Sequence, residues 1–181
     1  MPPADHTDAV AAPYPGGPIR RAIFAHLASR QVSRVIYGAI IGLALIVALE
    51  THSPGIGSVI ATLLGTAMAV ALAELYSEVI GFEAVGRRKA SRTELPHLAG
   101  DIVAVVFGVA FPVVFFLLAA IGVFEEDTAF EVAKWAGLGL IGLYGFAGAR
   151  LSGNGRFNSL LKGTGVALIG AVLIGLKALV H

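Results

Sequence analysis

The chain contains no cysteine, which removes disulfides, thiolate metal sites and thiol catalysis together. Charge is also scarce. Asp, Glu, Lys and Arg make up 14% of the 181 residues, against about a quarter in soluble domains. The net charge of +1 gives no electrostatic basis for a nucleic-acid partner, and none is expected. The first 30 residues lack the continuous apolar stretch of about 7–15 residues at the centre of a secretory signal, so no cleavage is expected. H-E-x-x-H, G-x-S-x-G and P-loop patterns are missing too, and with them the usual hydrolase and nucleotide-site signals. The sequence therefore predicts no enzyme. One pattern needs dismissing: Gly137-Leu-Gly139-Leu-Ile-Gly142 fits G-x-G-x-x-G. That fingerprint requires a preceding strand and a helix opening on a pyrophosphate, whereas this copy lies inside an apolar run.

What is abundant is apolar. Hydrophobic residues make up 56% of the chain, more than a soluble fold of this length can hide. A bilayer core about 30 Å thick needs about 20 apolar residues per helix. Five segments approach or exceed that length, at about 35–52, 56–80, 99–124, 130–150 and 160–180. The expected fold class is an all-α membrane protein, a bundle of five transmembrane helices occupying residues 34–181. The first, fourth and fifth segments have short uncharged cores, so Arg34, Lys134, Arg150, Lys162 and Lys177 are expected to snorkel to the interfaces. Residues 1–18, with Pro2, Pro3, Pro13, Pro15 and Pro18, read as a flexible cytoplasmic tail. In the basic segment 19–33, Ile19, Ile23 and Leu27 recur every four residues. It reads as an amphipathic helix on the membrane surface, or equally as a solvated linker.

Orientation follows from Lys and Arg. Arg20, Arg21, Arg30 and Arg34 precede the first helix, and Arg87, Arg88, Lys89 and Arg92 follow the second. Arg150, Arg156 and Lys162 lie between the fourth and fifth. These are 11 of the 13 basic residues, all on one side of the predicted bundle. The N-terminus is expected inside and the C-terminus outside, with Trp135 as an outer aromatic anchor. Abundant Ala and Gly, and nine Arg to four Lys, suggest a GC-rich bacterial genome and so a bacterial plasma membrane.

In lipid, small residues mark the surfaces where helices meet. The second helix carries Gly57, Ala61, Gly65, Ala69, Ala73, Ser77 and Gly81 in one row. The fifth carries Gly163, Ala167, Ala171 and Gly175, and the third Ala104 and Gly108; the fourth is rich in glycine throughout. Such rows serve packing within one chain or between chains, and the sequence leaves both open. Gly65 lies on a row and Gly170 off one, so Leu at Gly65 is expected to disturb a close helix contact more than Leu at Gly170. Pro112 is expected to kink the third helix, more for packing than for gating.

Ionisable residues within membrane segments are the candidate chemistry, because an unpaired charge there costs several kcal/mol. Glu74 and Glu78 are four apart at the inner end of the second helix and share a face. His97 and Asp101, also four apart, open the third helix at the same level. Two or three carboxylates with an imidazole suit a divalent cation or a proton relay. The ordinary reading pairs these carboxylates with Arg87, Arg88 or Arg92. Glu50, near the outer end of the first helix, is a further candidate ligand or an interfacial residue. Glu125, Glu126, Asp127 and Glu131 form an outer acidic cluster, read as a solvated loop or a cation-attracting patch.

The layout and two local patterns resemble the vacuolar iron transporter-like family. Gly38-Ala39-Ile40-Ile41-Gly42-Leu43 is similar to that family's G-A-N-D-G-L element, and Ala73-Glu74-Leu75-Tyr76-Ser77 to its G-E-Y-V-S element with one residue displaced. The resemblance implies a dimer of five-helix protomers exchanging metal for protons. The chain departs from the family where its asparagine and aspartate fall on Ile40 and Ile41, and where 82–97 offers no acidic metal-binding insertion. It also resembles uncharacterised integral membrane proteins of actinobacteria, which implies no function. Two readings follow. One is a small secondary transporter of a divalent cation or protons, with the metal ion as substrate, Glu74, Glu78 and Asp101 at the inner side and Glu50 at the outer. The other is a non-transporting membrane protein that supports assembly or binds a partner through small-residue faces.

Overall fold

The computed structural model describes residues 31–52, 54–86, 95–151 and 154–180, with side chains over 31–52, 54–81, 99–151 and 154–176. The expected tail at 1–18 and the amphipathic segment at 19–33, apart from 31–33, lie outside the described residues. Among the described residues there is no strand. The helices are α1 (Gln31–Glu50), α2 (Ile56–Gly86), α3 (Leu95–Ala110), α4 (Val113–Ala120), α5 (Glu126–Leu151) and α6 (Arg156–Val180).

Turn chemistry sets several of these boundaries. Pro54 cannot continue a helix hydrogen-bond ladder, and Gly55 follows it with φ 87°, a left-handed conformation that favours glycine. The Gly55 carbonyl then accepts from the amides of Ser58 and Val59 and starts α2. At the end of α4, Gly122 has φ 80°. Its amide donates to Ala119 O and that of Val123 donates to Leu118 O, both at 2.9 Å. This pair of bonds is the glycine-dependent Schellman stop. Between α3 and α4, Pro112 interrupts the ladder and the two helices diverge by 46°, as expected from its position.

α1, α2, α5 and α6 are each long and apolar enough to cross a membrane, and α3 with α4 meets the same criterion as one bent pair. Helix directions support counting that pair as a single crossing. α3 runs parallel to α1, with Gly38 on Val105 and Gly42 on Val109. α5 runs antiparallel to α1, with Gly137 near Leu43 and Gly148 near Val32. The C-terminal part of α2 meets the start of α1, where Arg34 pairs with Glu74 and Glu78. The chain thus leaves α2 at the end where α1 begins and enters α5 at the end where α1 finishes. α3 and α4 must travel the length of the bundle between them. The first of these ends carries Arg34, Arg150 and Lys162 and is the basic end; the other carries Glu50, Glu125 and Asp127 and is the acidic end.

α1 is the central helix, touching α2, α3, α5 and α6. Its closest approach is to α3. A Cβ on Gly38 would overlap Val105 O, and one on Gly108 would lie 2.6 Å from Ala39 N, so backbone meets backbone there. A second close approach joins α5 to α6, where a Cβ on Gly163 would lie 2.8 Å from Gly142 O. Small residues permit both, as expected for helices that gain nothing from hydrophobic burial in lipid. Before the Pro112 bend α3 packs on α1 and α2, and after it α4 packs on α2 and α5. There Phe116 meets Phe130 edge-on at 4.9 Å, inside a core with Ile46, Val59 and Leu63.

The small-residue rows divide between the two uses that the sequence leaves open. The row on α3, the start of that on α6, and the α5 glycines Gly137, Gly142, Gly145 and Gly148 face neighbouring helices of the same chain. The row on α2 faces outward along its whole length, and a Cβ at Gly57, Gly65 or Gly81 would meet nothing within 4 Å. The expected order of Gly65 and Gly170 is therefore reversed within the chain. A Cβ on Gly170 would lie 2.7 Å from Leu138 Cδ2 and 2.9 Å from Leu43 Cδ2. Periodicity identifies a row but not what lies against it, and Gly170 is close-packed without belonging to one.

Large apolar side chains cover the outer surface, among them Met68, Leu72, Ile121, Leu143 and Phe157, all more than half exposed. Soluble monomers rarely expose contiguous apolar patches beyond a few hundred Å². With several helices of spanning length beneath that surface, the chain is a multi-pass membrane protein.

Candidate functional site

Two charged clusters lie at opposite ends of α1. At the basic end, Arg34 sits in the first turn of α1, and Glu74 and Glu78 are stacked one turn apart on α2. Arg34 forms an ion pair with Glu74 and donates from Nη2 to Glu78 Oε1 at 2.9 Å. The guanidinium suits this position because its several donors lie in one plane and reach two acceptors at once. Glu74 is the most enclosed of the three side chains.

At the acidic end, Lys134 lies two turns into α5 and is only 8% exposed. Its ammonium donates to Glu50 Oε1 on α1 at 2.6 Å and to Glu131 Oε1, one turn back on α5, at 2.7 Å. Short distances are normal for charge-assisted bonds. Beneath it, Ala129, Phe130 and Ala133 belong to the apolar core. A charge above such a floor must be paired where it stands. Lys134 therefore does not snorkel outward as the sequence reading expects; it turns inward and ties α5 to α1.

In each cluster two carboxylates share one cation. Counting those three groups, each cluster carries a net charge of −1 when all are ionised. Asp101 does not join them. Asp101 is half-buried on α3, and His97 lies in α3 with its side chain outside the described residues. Among the described residues, no three His, Asp or Glu side chains converge as a metal-holding group. In the outer acidic cluster, Glu126 and Asp127 occupy the first turn of α5, where negative charge is favoured by the helix dipole, and Glu131 is held by Lys134.

The sequence reading singles out Glu50, Glu74 and Glu78 but neither of their partners. It sends Arg34 and Lys134 to the interfaces and offers Arg87, Arg88 or Arg92, which lie outside the described residues, as ordinary partners. A helix count contains the missing signal. α1 leaves the basic end at Arg34 while α2 arrives there at Glu78, and α1 reaches the acidic end at Glu50 while α5 departs from it through Lys134. Opposite charges at equal depth are the pattern to seek, because lipid leaves an ionised side chain few other partners.

No protein-family model matches the chain, and neither a curated protein nor a solved structure matches it. Function rests on this geometry.

Proposed function

We propose that the chain is a non-transporting protein of the bacterial plasma membrane, N-terminus inside and C-terminus outside, that assembles with a second copy of itself through α2. The observation that carries this reading is the pairing of the carboxylates. Three of the sequence's five candidate cation ligands, Glu50, Glu74 and Glu78, each hold Arg34 or Lys134 of the same chain. A guanidinium between Glu74 and Glu78 fills the space a divalent cation needs and repels it. The clusters act as clamps that fix α1 to α2 at one end and to α5 at the other. The outward row from Gly57 to Gly81 supplies a face that a second copy can approach closely, since small residues let backbones meet.

Metal flux tests the reading directly. Liposomes containing the purified protein and a metal-sensitive dye should take up Mn²⁺ or Fe²⁺ no faster than empty liposomes. Uptake above that background overturns it.

One observation favours a second reading, secondary transport of a divalent cation or protons. Among the described ion pairs, each cluster counts one more carboxylate than cation, a balance that favours attraction of a proton or a cation. The two lie at opposite ends of a single helix, and Glu74 stands at the glutamate of the family element that the sequence resembles. Under this reading Arg34 and Lys134 would yield a carboxylate to the arriving cation, and flux would depend on Glu74.

A further inference from the structure

The basic end has another charged feature, unlike the clusters around α1. From Trp135 to Val180 the chain has no Asp or Glu, yet it carries Arg150, Arg156 and Lys162 around the α5–α6 connection. All three are exposed. Asn154 organises two of them. Arg150 Nη1 donates to the Asn154 carbonyl oxygen at 3.0 Å, and Lys162 Nζ donates to Asn154 Oδ1 at 3.2 Å. Asn154 is itself held, its Nδ2 donating to Ala149 O at 2.9 Å. The fully buried Ser159 donates to the Asn154 carbonyl at 3.4 Å. These acceptors are neutral, so these contacts position the cations without neutralising them. Arg34 and Lys134 each have two carboxylates; among the described residues Arg150, Arg156 and Lys162 have none.

Large apolar side chains stand beside these cations. Phe157, Leu160 and Leu161 are 78%, 59% and 63% exposed, within the first two turns of α6. Cationic groups at the end of two membrane crossings, next to exposed apolar residues, match a lipid molecule in both its parts. We propose that the α5–α6 end binds the headgroup of an anionic phospholipid. Arg150, Arg156 and Lys162 hold phosphate oxygens by charge-assisted hydrogen bonds, and Phe157, Leu160 and Leu161 lie against the acyl chains. A free phosphate ion would use the cations and leave the apolar residues without a role. The inference rests on the chain being a membrane protein and is independent of assembly through α2 and of transport.

The full chain, purified in a neutral detergent, is titrated with phosphatidylglycerol, phosphatidylcholine or inorganic phosphate. Bound lipid is counted by native mass spectrometry and stability is followed by thermal unfolding. Phosphatidylglycerol should bind and stabilise more than phosphatidylcholine, and inorganic phosphate should do neither. A basic residue near an anionic lipid surface contributes about fivefold in affinity. Arg156→Gln should therefore weaken phosphatidylglycerol binding about fivefold, and Arg156→Gln with Lys162→Gln about 25-fold. Lys177→Gln, an equal change of charge at the far end of α6, should leave it unchanged. Arg156 makes no described contact, so its single variant keeps the test readable if the double variant folds poorly. Equal binding of the two lipids, unchanged binding in Arg156→Gln, or a matching effect of inorganic phosphate overturns the proposal.

Discussion

Arg34 and Lys134 decide what the carboxylates around them can do, and the two sides of each pairing predict different costs of mutation. Replacing Arg34 with Gln removes the described counter-charge that Glu74 and Glu78 share, at a cost of about 3 kcal/mol. Replacing Glu74 with Gln leaves Arg34 balanced by Glu78 and should cost about 1 kcal/mol or less. Thermal unfolding in detergent measures both, and equal losses would argue against the shared pairing. Lys134→Met should likewise destabilise by about 3 kcal/mol, because Glu50 and Glu131 are left together above an apolar floor. Adding Glu50→Gln to Lys134→Met should recover part of that loss, and no recovery would mean that Lys134 acts through packing alone. Glu74→Gln also separates the two functional readings. If the cluster handles cations, metal-dependent stabilisation or flux should fall at least tenfold, about 1.4 kcal/mol. Cation binding should weaken as pH drops, because protonated carboxylates lose their attraction for a metal. If the cluster is a clamp, neither metal nor this substitution should change anything beyond the small stability loss.

Glycine rows give the corresponding test for whole helices. Gly108→Ala places a methyl group 2.6 Å from Ala39 N, a backbone atom that cannot step aside, so overpacking should cost about 3 kcal/mol. Gly170→Leu should also destabilise, though flexible Leu138 and Leu43 ends can partly yield. Gly65→Leu meets nothing within the chain and should leave unfolding unchanged while converting a dimer to a monomer, as read by mass in detergent or nanodiscs. A Gly65→Leu protein that stays dimeric would remove α2 as the assembly face. These contrasts show what sequence can reveal about such a bundle. The helices are legible because apolar length is set by bilayer thickness, and the bend is legible because Pro112 has no amide hydrogen to donate. The outward face of α2 is not, since Gly65 and Gly108 look alike in a row and differ only in what lies opposite. The partners of Glu50 and Glu74 depend on the relative depth of helices far apart in the chain. That depth was computable for Arg34 and Lys134, but it needs both ends of each helix at once.

At the scale of the whole molecule, charge distribution and geometry have to agree on how the chain threads the membrane. α3 has 16 residues and α4 has 8, so they rise about 24 Å and 12 Å along their own axes at 1.5 Å per residue. The 46° bend leaves about 8 Å of α4 along the axis of α3, and the two residues at the bend add about 3 Å. The total of about 35 Å still covers a hydrocarbon core of about 30 Å, so the bent pair is long enough for one crossing. Counting it as one crossing puts the α2–α3 connection and the start of α5 on opposite sides. The connection carries Arg87, Arg88, Lys89 and Arg92, while α5 opens with Glu126 and Asp127 after Glu125. Basic residues are retained on the cytoplasmic side, and the proposed orientation accordingly has the connection inside and the acidic turn outside. A reporter fused after Arg88 should therefore read as cytoplasmic and one fused after Asp127 as external. Both fusions on one side would mean that α3 and α4 do not cross, which would sink the five-crossing bundle. Opposite sides in the reverse sense would keep the bundle and overturn only its orientation. In that case Arg150, Arg156 and Lys162 would face the outer leaflet, and the proposed lipid would have to be sought there.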